Sequence, residues 1–382
     1  MLMLLPGAPA LSFQTNYTSF TPGTVWLASD SIHIDCHAGN ILYDSLTKTY
    51  YWYGEHYAAP AGVECYSSKD LYNWVNQGLV LAKGTIQVCE RPKVVYSPKA
   101  GKYVMWFHYD NSSYTLAELG VATADSATGK FTLLNNFRPN GHQSRDIGMF
   151  QDDSGKVYIM YAADSTNVTI RVVQLSADYT SVTANDTNIS AHCEGPAMMK
   201  MNRVYYLMTS QCSGWTPNPA TYYTALSTSG PFTNKGTPCI KDTAKNTFNS
   251  QSCNIFKIPG YSNAYMYMGD RWNGSGNKNS QYVFLPITIT AGDTMQIQWY
   301  SSWNLSVFQP AVAVLTPPGA RLAGFPGASV SKAGKVAYYD IFGRKLHCTG
   351  PDLTAGGRST LAAGVYIKVP EQGVPVPMVV RP

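Results

Sequence analysis

The chain has 382 residues, enough for one large domain and a small one, with 45% hydrophobic and only 13% charged side chains. Aromatic residues make up a further-reaching 13%, including 27 Tyr and 8 Trp, while 32 Gly and 23 Pro mark frequent turns; this favours an all-β protein over long charged helices. Of the net charge of +5, the stretch 327–382 carries +4 (seven Lys/Arg against three Asp/Glu), so the rest is near neutral and offers no nucleic-acid groove.

In chain order, residues 1–16 open with MLMLLPGAPALS, a short apolar run that reads as a signal-peptide remnant or N-terminal arm. No stretch is long and apolar enough for a membrane-spanning helix. From residue 17 to 305 an aromatic strand recurs five times, as KTYYWYGEHY, GKYVMWFHYD, GKVYIMYAAD, RVYYLMTSQC and NAYMYMGDRW. The marker residues Tyr50, Tyr103, Tyr158, Tyr205 and Tyr265 are 53, 55, 47 and 60 residues apart. Each interval holds about four strands, one propeller blade, so the spacing predicts a five-bladed β-propeller. The competing fold is a β-sandwich with unrelated aromatic strands.

Before each marker stands a polar residue: Asp35 and His37, Glu90, Asp146, Glu194 and Gln251. Their offsets are 15 and 13, 13, 12, 11 and 14 residues. The first strand of a blade lines the axis, so near-equal offsets predict one ring of side chains. Glycosidic cleavage needs an acid on one face of the bond and a water-activating group on the other. Glu194 sits between Cys193 and the run Gly195, Pro196, Ala197, a poorly solvated setting that raises a carboxyl pKa. Strand alternation turns Arg91 and Arg145 away from the pocket, leaving Glu90 and Asp146 to hold hydroxyls or keep Glu194 protonated. Buried structural ion pairs are the alternative. Trp52 and Trp106 read as core. Trp215 and Trp272 lie among Gly, Pro and Asn, hence on loops, where they, with Glu55, Asp270, Arg271 and Tyr282, form the expected sugar-contacting set.

Eight cysteines without a CxxC pair favour disulfides in an oxidising compartment over metal sites. No EF-hand-like loop appears and no cofactor is expected; a structural calcium in the channel is the alternative, which no motif indicates. Residues 306–328 form a Pro/Gly/Ala-rich linker. In 329–382, KVAYYDIFGRKL and LAAGVYIKV read as short strands of a small β module.

The segments IDCHAGNILY with YYWYGEH, ERPKVVY with KYVMWFHYD, SRDIGMFQDDSGKVYIMY, EGPAMMK with YYLMTSQCSGW, FNSQS, and MGDRWN with YVFLPI resemble glycoside hydrolase family 43, particularly its exo-β-1,3-galactanase branch. The resemblance runs from about Ile32 to Trp303. It implies a five-bladed propeller, an inverting mechanism and release of galactose from the non-reducing end of β-1,3-galactan, the backbone of plant arabinogalactan side chains. It places Glu194 as general acid, Asp146 as the carboxylate that tunes and orients it, and Glu90 in the −1 subsite. Glu55 and Asp270 match further sugar contacts, and His37 the axial histidine. Where most of the family has an aspartate base, before Ile41–Leu42, this chain has Ala38. The branch instead implies the fifth-blade glutamine, Gln251, as the group that holds the water, with Asp35 the second candidate. An inverting pair stands about 6.5–9.5 Å apart. HAGN replaces the branch's glycine-rich HGGG, so Asn40 is expected to narrow the pocket floor. The C-terminal module resembles sorting or attachment modules of secreted bacterial proteins, implying a secreted or cell-surface location and contact with secretion machinery. An arabinofuranosidase or β-galactosidase relative and a non-catalytic carbohydrate-binding propeller are the alternatives; no GxSxG elbow supports a peptidase or lipase.

Overall fold

The computed structural model describes residues 15–308, except 85, 165–166, 168, 190–191 and 274–275, together with four strands of a C-terminal unit. The expected leader (1–16) and linker (306–328) therefore lie almost wholly outside the described residues. Contacts divide the chain at Val312 and Ala313. The C-terminal unit is an antiparallel sheet of Val336–Asp340, Lys345–Leu346, Gly364–Pro370 and Val376–Val380.

Five sheets make up the first unit, one for each aromatic repeat, four of them wholly antiparallel. Their first strands are His37–Asp44, Val88–Ser97, Ser144–Gln151, Cys193–Met201 and Gln251–Lys257. Each touches the next, and the fifth returns to the first, so they close a ring around an axis. This is a five-bladed propeller. The marker tyrosines all fall on the second strands: Thr49–His56, Lys102–Asp110, Val157–Ala163, Val204–Gln211 and Tyr265–Asn273. Blade 5 gains an outer strand, Cys239–Ile240, parallel to Thr294–Gln298.

The aromatic repeat follows from the packing. Successive side chains of a strand point to opposite faces, and each second strand feeds the two walls beside it. Trp52 faces blade 5 while Tyr53 faces blade 2. Trp106 joins the wall with blade 3, and Met105 and Phe107 the wall with blade 1. Met160 packs toward Leu207 in blade 4, whereas Tyr206 and Met208 pack toward Tyr267 in blade 5. Five separate apolar walls result, and each buried large side chain contributes about 1.5–3 kcal/mol. Trp52 and Trp106 are fully buried, as expected of core residues. The wall between blades 5 and 1 also takes in the N-terminal arm: Phe20 pairs with Trp303, and its ring lies 4.6 Å from that indole.

The seven described cysteines form no disulfide. Six are buried as small apolar side chains of the walls, which is where their hydrophobicity places them, and not in the bridges that the cysteine count suggests. Among the described residues no helix is long and apolar enough to cross a membrane.

Candidate active site

All five first strands are interrupted by a β-bulge at the same end. The ladders shift between His37 and Asn40, Glu90 and Lys93, Ser144 and Ile147, Glu194 and Ala197, and Ser252 and Asn254. A bulge breaks the two-residue alternation and re-aims side chains. Here it does so five times at one level. Ala38, Arg91 and Gly195 adopt positive φ of 52°, 51° and 59°. A Cβ on Gly195 would meet Gln251 Cγ at 3.1 Å and Ser210 Oγ at 3.2 Å, so a side chain there would be strained by the backbone and would press on both neighbours.

The bulges overturn one expectation. Arg91 is buried and points into the ring, because the bulge after Glu90 cancels the alternation that would have turned it outward. Its Nη2 meets Asp146 Oδ2 at 3.0 Å and also donates to Gln251 Oε1, while Nη1 donates to Ser252 O at 3.2 Å. Arg145, by contrast, bonds Gln143 and the Asp164 carbonyl.

Glu194 stands beside this cation. Gln251 Nε2 donates to its Oε1 at 3.2 Å and Asn167 Nδ2 to its Oε2 at 3.1 Å. Burial, then repulsion from Asp146, raise its pKa to about 7 against the pull of Arg91 and the two amides. Asp146 in turn accepts the Gly195 N–H at 3.1 Å, which ties the third-blade carboxylate to the bulge carrying the acid. Glu194 is thus a half-buried carboxyl that holds a proton near neutrality and has two N–H donors ready for the carboxylate left after transfer.

Gln251 does not stand where an inverting base would. It donates to Glu194 directly and to Ser210 Oγ at 2.8 Å, and its oxygen is occupied by Arg91. The spacing of about 6.5–9.5 Å that admits a water between two groups is absent from this pair. Asp35 is no nearer the role. Its Oδ2 accepts the N–H groups of Tyr57 and Ala58 and lies 3.3 Å from His56, so all these partners belong to blade 1.

A second carboxylate pair lies across blades 1 and 2. Glu55 is buried, accepts the Arg91 N–H at 2.9 Å and the Tyr57 hydroxyl, and is raised to about 8 by burial and by the charge of Glu90. Glu90 is the ionised member: burial opposes its charge, but hydrogen bonds from His108 and Tyr114 hold its pKa below the usual glutamate value. His108 Nδ1 is 3.1 Å from Glu90 and its Nε2 is 3.0 Å from Asp110. Despite burial, these partners raise its pKa to about 9. The charge of Glu90 thus acts on Glu55, and that of Asp146 on Glu194; of the two roles expected of Glu90, holding sugar hydroxyls or keeping Glu194 protonated, its surroundings favour the first.

The remaining expected residues divide clearly. His37 and Asp270 close the ring: His37 Nδ1 bonds Ser280 Oγ at 2.8 Å and lies 3.9 Å from Asp270, which accepts the Ala38 N–H at 3.1 Å. Trp215 is 70% exposed and sits edge-on to Trp272, whose Nε1 donates to the Trp215 carbonyl at 2.8 Å; together they form an aromatic rim. Tyr282 is not at the surface. It is buried against Trp52, and its hydroxyl bridges Ile34 O and Cys36 N, so it braces the wall behind His37. Arg271 spends its donors on the carbonyls of Gly23, Phe248 and Asn249 and braces the rim loops. Asn40 does not narrow the floor of the site. Its amide pairs with both backbone groups of Val94 and joins blades 1 and 2 below it.

Sequence reasoning turns Arg91 outward and misses Asn167, Ser210 and His108. A signal existed for two of them. Glu55, His108, Ser210 and Asp270 each follow their marker tyrosine by five residues, and each pairs across the ladder with a ring residue: His37, Glu90, Glu194 and Gln251. The motif Glu-X-Pro, in Glu90-Arg91-Pro92 and Glu194-Gly195-Pro196, flags two of the bulges, because proline has no N–H to give to a ladder.

A profile of glycosyl hydrolases family 43 matches residues 39–295. The chain belongs to family 43. Its likeness extends to solved family 43 structures: a beta-1,3-galactosidase (TM-score 0.73, 36% identity, over 77% of this chain and 65% of that one). A second beta-1,3-galactosidase, with galactodeoxynojirimycin, gives a TM-score of 0.71 at 31% identity, over 75% of this chain and 100% of that one. The exo-beta-1,3-galactanase of Phanerochaete chrysosporium, with beta-1,3-galactotriose, gives 0.71 at 34%, over 76% and 69%. A beta-D-galactofuranosidase of Aspergillus niger is 26% identical over 219 residues, 49% of this chain and 61% of that protein. The first structure and the Aspergillus protein are thus matched over less than two thirds of their lengths. Within family 43 terms, Ala38 offers only a Cβ where most members are expected to carry the aspartate base, and its backbone is used by Asp270 and by Lys93.

Proposed function

We propose that the protein is an inverting glycoside hydrolase that releases galactose from the non-reducing end of β-1,3-galactan, with Glu194 as general acid. The observation that carries this reading is the proton-holding Glu194, flanked by Asp146 and by two amide donors. General acid catalysis works best with a pKa near the operating pH. As the glycosidic oxygen takes the proton, charge appears on Glu194, where Asn167 and Arg91 favour it. The galactan substrate is supported by the solved relatives, which include beta-1,3-galactosidases and an exo-beta-1,3-galactanase. The ionised Glu90, the neutral Glu55, His37 and Asp270 supply donors and acceptors for sugar hydroxyls, and Trp215 with Trp272 an apolar face for the next unit. In this reading Gln251 orients the acid in the free enzyme; once the glycosidic oxygen has replaced it at Glu194, its amide oxygen accepts a hydrogen bond from the attacking water, whose proton passes to solvent as the new C–O bond forms and the glycosidic bond breaks. No cofactor is part of this proposal. With a polymeric plant cell-wall substrate, the proposal extends to a location outside the cell and to attachment or sorting through the C-terminal unit.

The test is product analysis on β-1,3-galactan, with the anomer followed by proton NMR. Release of α-galactose first is expected. Release of the β-anomer first would rule out inversion, and activity confined to β-galactofuranosides or arabinofuranosides would move the substrate toward that of the Aspergillus relative. Binding without turnover would make the propeller a carbohydrate-binding domain.

A further inference from the structure

The chain leaves the second strand of blade 1 at His56 and rejoins the sheet at Gly62, and the exposed turn between them opens with Tyr57. This tyrosine reaches two residues of the ring. Its hydroxyl donates to Glu55, and its aromatic ring is edge-on to His37, with centroids 6.0 Å apart. So exposed a turn is tied down through its backbone: Asp35 Oδ2 accepts the Tyr57 N–H at 2.9 Å and the Ala58 N–H at 3.2 Å. Asp35 is itself buried, in a cluster of blade 1 that the proposed reaction does not use. His56 Nδ1 lies 3.3 Å from Asp35 and 2.8 Å from Glu64, which is also buried. The Tyr66 hydroxyl donates to Glu64 at 2.8 Å and accepts the Asp35 N–H at 3.2 Å, and Asn76 adds a donor to Glu64 at 3.1 Å. Contact with Glu64 raises the His56 pKa above the usual histidine value against burial, so an imidazolium stands between two carboxyl groups.

We propose that Tyr57 positions the Glu55 carboxyl for the sugar, and that Asp35, held by His56 and Glu64, positions Tyr57; the inference rests on the galactan reading for its substrate. The Glu55 carboxyl is fixed from two sides, by the Tyr57 hydroxyl of blade 1 and by the Arg91 N–H of blade 2 at 2.9 Å. Without the hydroxyl, the carboxyl plane is free to turn about a single contact. Desolvation offsets much of the attraction within a buried ionic cluster, so Asp35, His56 and Glu64 contribute less through stability than through the geometry they impose. That geometry is passed on: Asp35 sets the backbone of Tyr57, the backbone sets its hydroxyl, and the hydroxyl sets Glu55. Asp35, which the sequence offers as a second candidate for the water-activating group, thus acts on the site through another residue.

The test separates this chain of contacts from support of the fold. Tyr57→Phe removes the hydroxyl and keeps the ring; KM for β-1,3-galactobiose should rise about tenfold, the worth of about one hydrogen bond, with kcat and Tm little changed. Asp35→Ala should raise KM by the same factor, and the double variant no further than either alone, because the second change acts on a contact already lost. Asp35→Asn keeps an acceptor oxygen for both N–H groups and should recover most of the loss. In the free protein, ¹³C-carboxyl NMR of labelled glutamate follows Glu55, assigned by its absence in Glu55→Gln. Burial and Glu90 raise Glu55 to about 8 against the pull of the Tyr57 hydroxyl, so its titration should move higher in Tyr57→Phe and in Asp35→Ala alike. Its other titratable and charged neighbours, Arg91, Lys93, Cys89 and Tyr114 of blade 2 and His37 across the ladder, are the same in both variants. Losses in KM that multiply in the double variant, or a Glu55 titration that stays at about 8 in Asp35→Ala, would overturn the proposal. Should Asp35→Ala not fold, His56→Gln takes its place in the same comparisons. If the wild type releases no galactose from β-1,3-galactan, the galactan reading fails, and the NMR titration alone decides whether Asp35, Tyr57 and Glu55 act as one unit.

Discussion

Arg91 of blade 2 meets Asp146 of blade 3 at 3.0 Å, and the same guanidinium bonds Gln251 of blade 5. One cation therefore sets the charge around Glu194 from two sides. It offsets the repulsion by Asp146, and it fixes the amide that holds the acid in place. The pKa of Glu194 near 7 is the balance of burial and Asp146 against Arg91.

Glu194→Gln should reduce kcat by about 10²–10⁴, the usual contribution of a positioned acid, with little change in KM. An aryl galactoside with a good leaving group needs less protonation, so its loss should be smaller. Comparing the two substrates checks the assignment; equal losses on both would remove Glu194 from the acid role.

Because Glu194 must carry its proton, activity should be full below about pH 7 and fall as pH rises through that value. Asp146→Asn removes a negative neighbour, so the pKa of Glu194 drops and the alkaline limb moves to lower pH. Pre-steady-state pH profiles of both proteins read this shift. A limb that moves upward would mean that Asp146 acts chiefly by restraining Arg91.

His108 predicts a stability change at higher pH. Its folded pKa, about 9, exceeds the usual histidine value of about 6.5 because Asp110 and Glu90 hold the imidazolium against burial. The folded state therefore binds the extra proton. That stabilisation is complete below about pH 6.5 and is lost as pH rises through about 9. Thermal melts should show Tm falling over this window, and His108→Gln should flatten the fall. KM should rise in the same variant, because Glu90 loses the partner that orients it.

Trp215→Ala should raise KM on long galactan about tenfold, equal to about 1.4 kcal/mol, and leave kcat on an aryl galactoside unchanged. The side chain is mostly exposed, so Tm should not move. Steady-state kinetics on the two substrates distinguish a rim platform from a fold-supporting residue.

The propeller was legible because its signal is repetitive. Tyr50, Tyr103, Tyr158, Tyr205 and Tyr265 occupy one position in five blades, and the alternating aromatics around them are what two neighbouring walls require of one strand. Glu194, Asp146, Glu90, His37 and Gln251 were found by the same regularity. Arg91 was misplaced because strand alternation holds only where the ladder is regular, and a bulge is a backbone event that side-chain patterns do not announce. Asn167 comes from a loop outside the repeat, so nothing in the periodicity marks it. Tyr282 was read by its neighbours in sequence, whereas its environment is made by Trp52 and Ile34, about 230 and 248 residues away.

The shared level of the five bulges has a consequence for how such an enzyme changes over time. Below each irregularity the strand pairing resumes, so an altered residue at a crest reaches the sugar while the hydrophobic layers beneath keep their arrangement. Change of this kind is open to crest side chains that hold no neighbouring blade, and closed to Arg91, which joins three blades, and to Gly195, which has no room for a side chain.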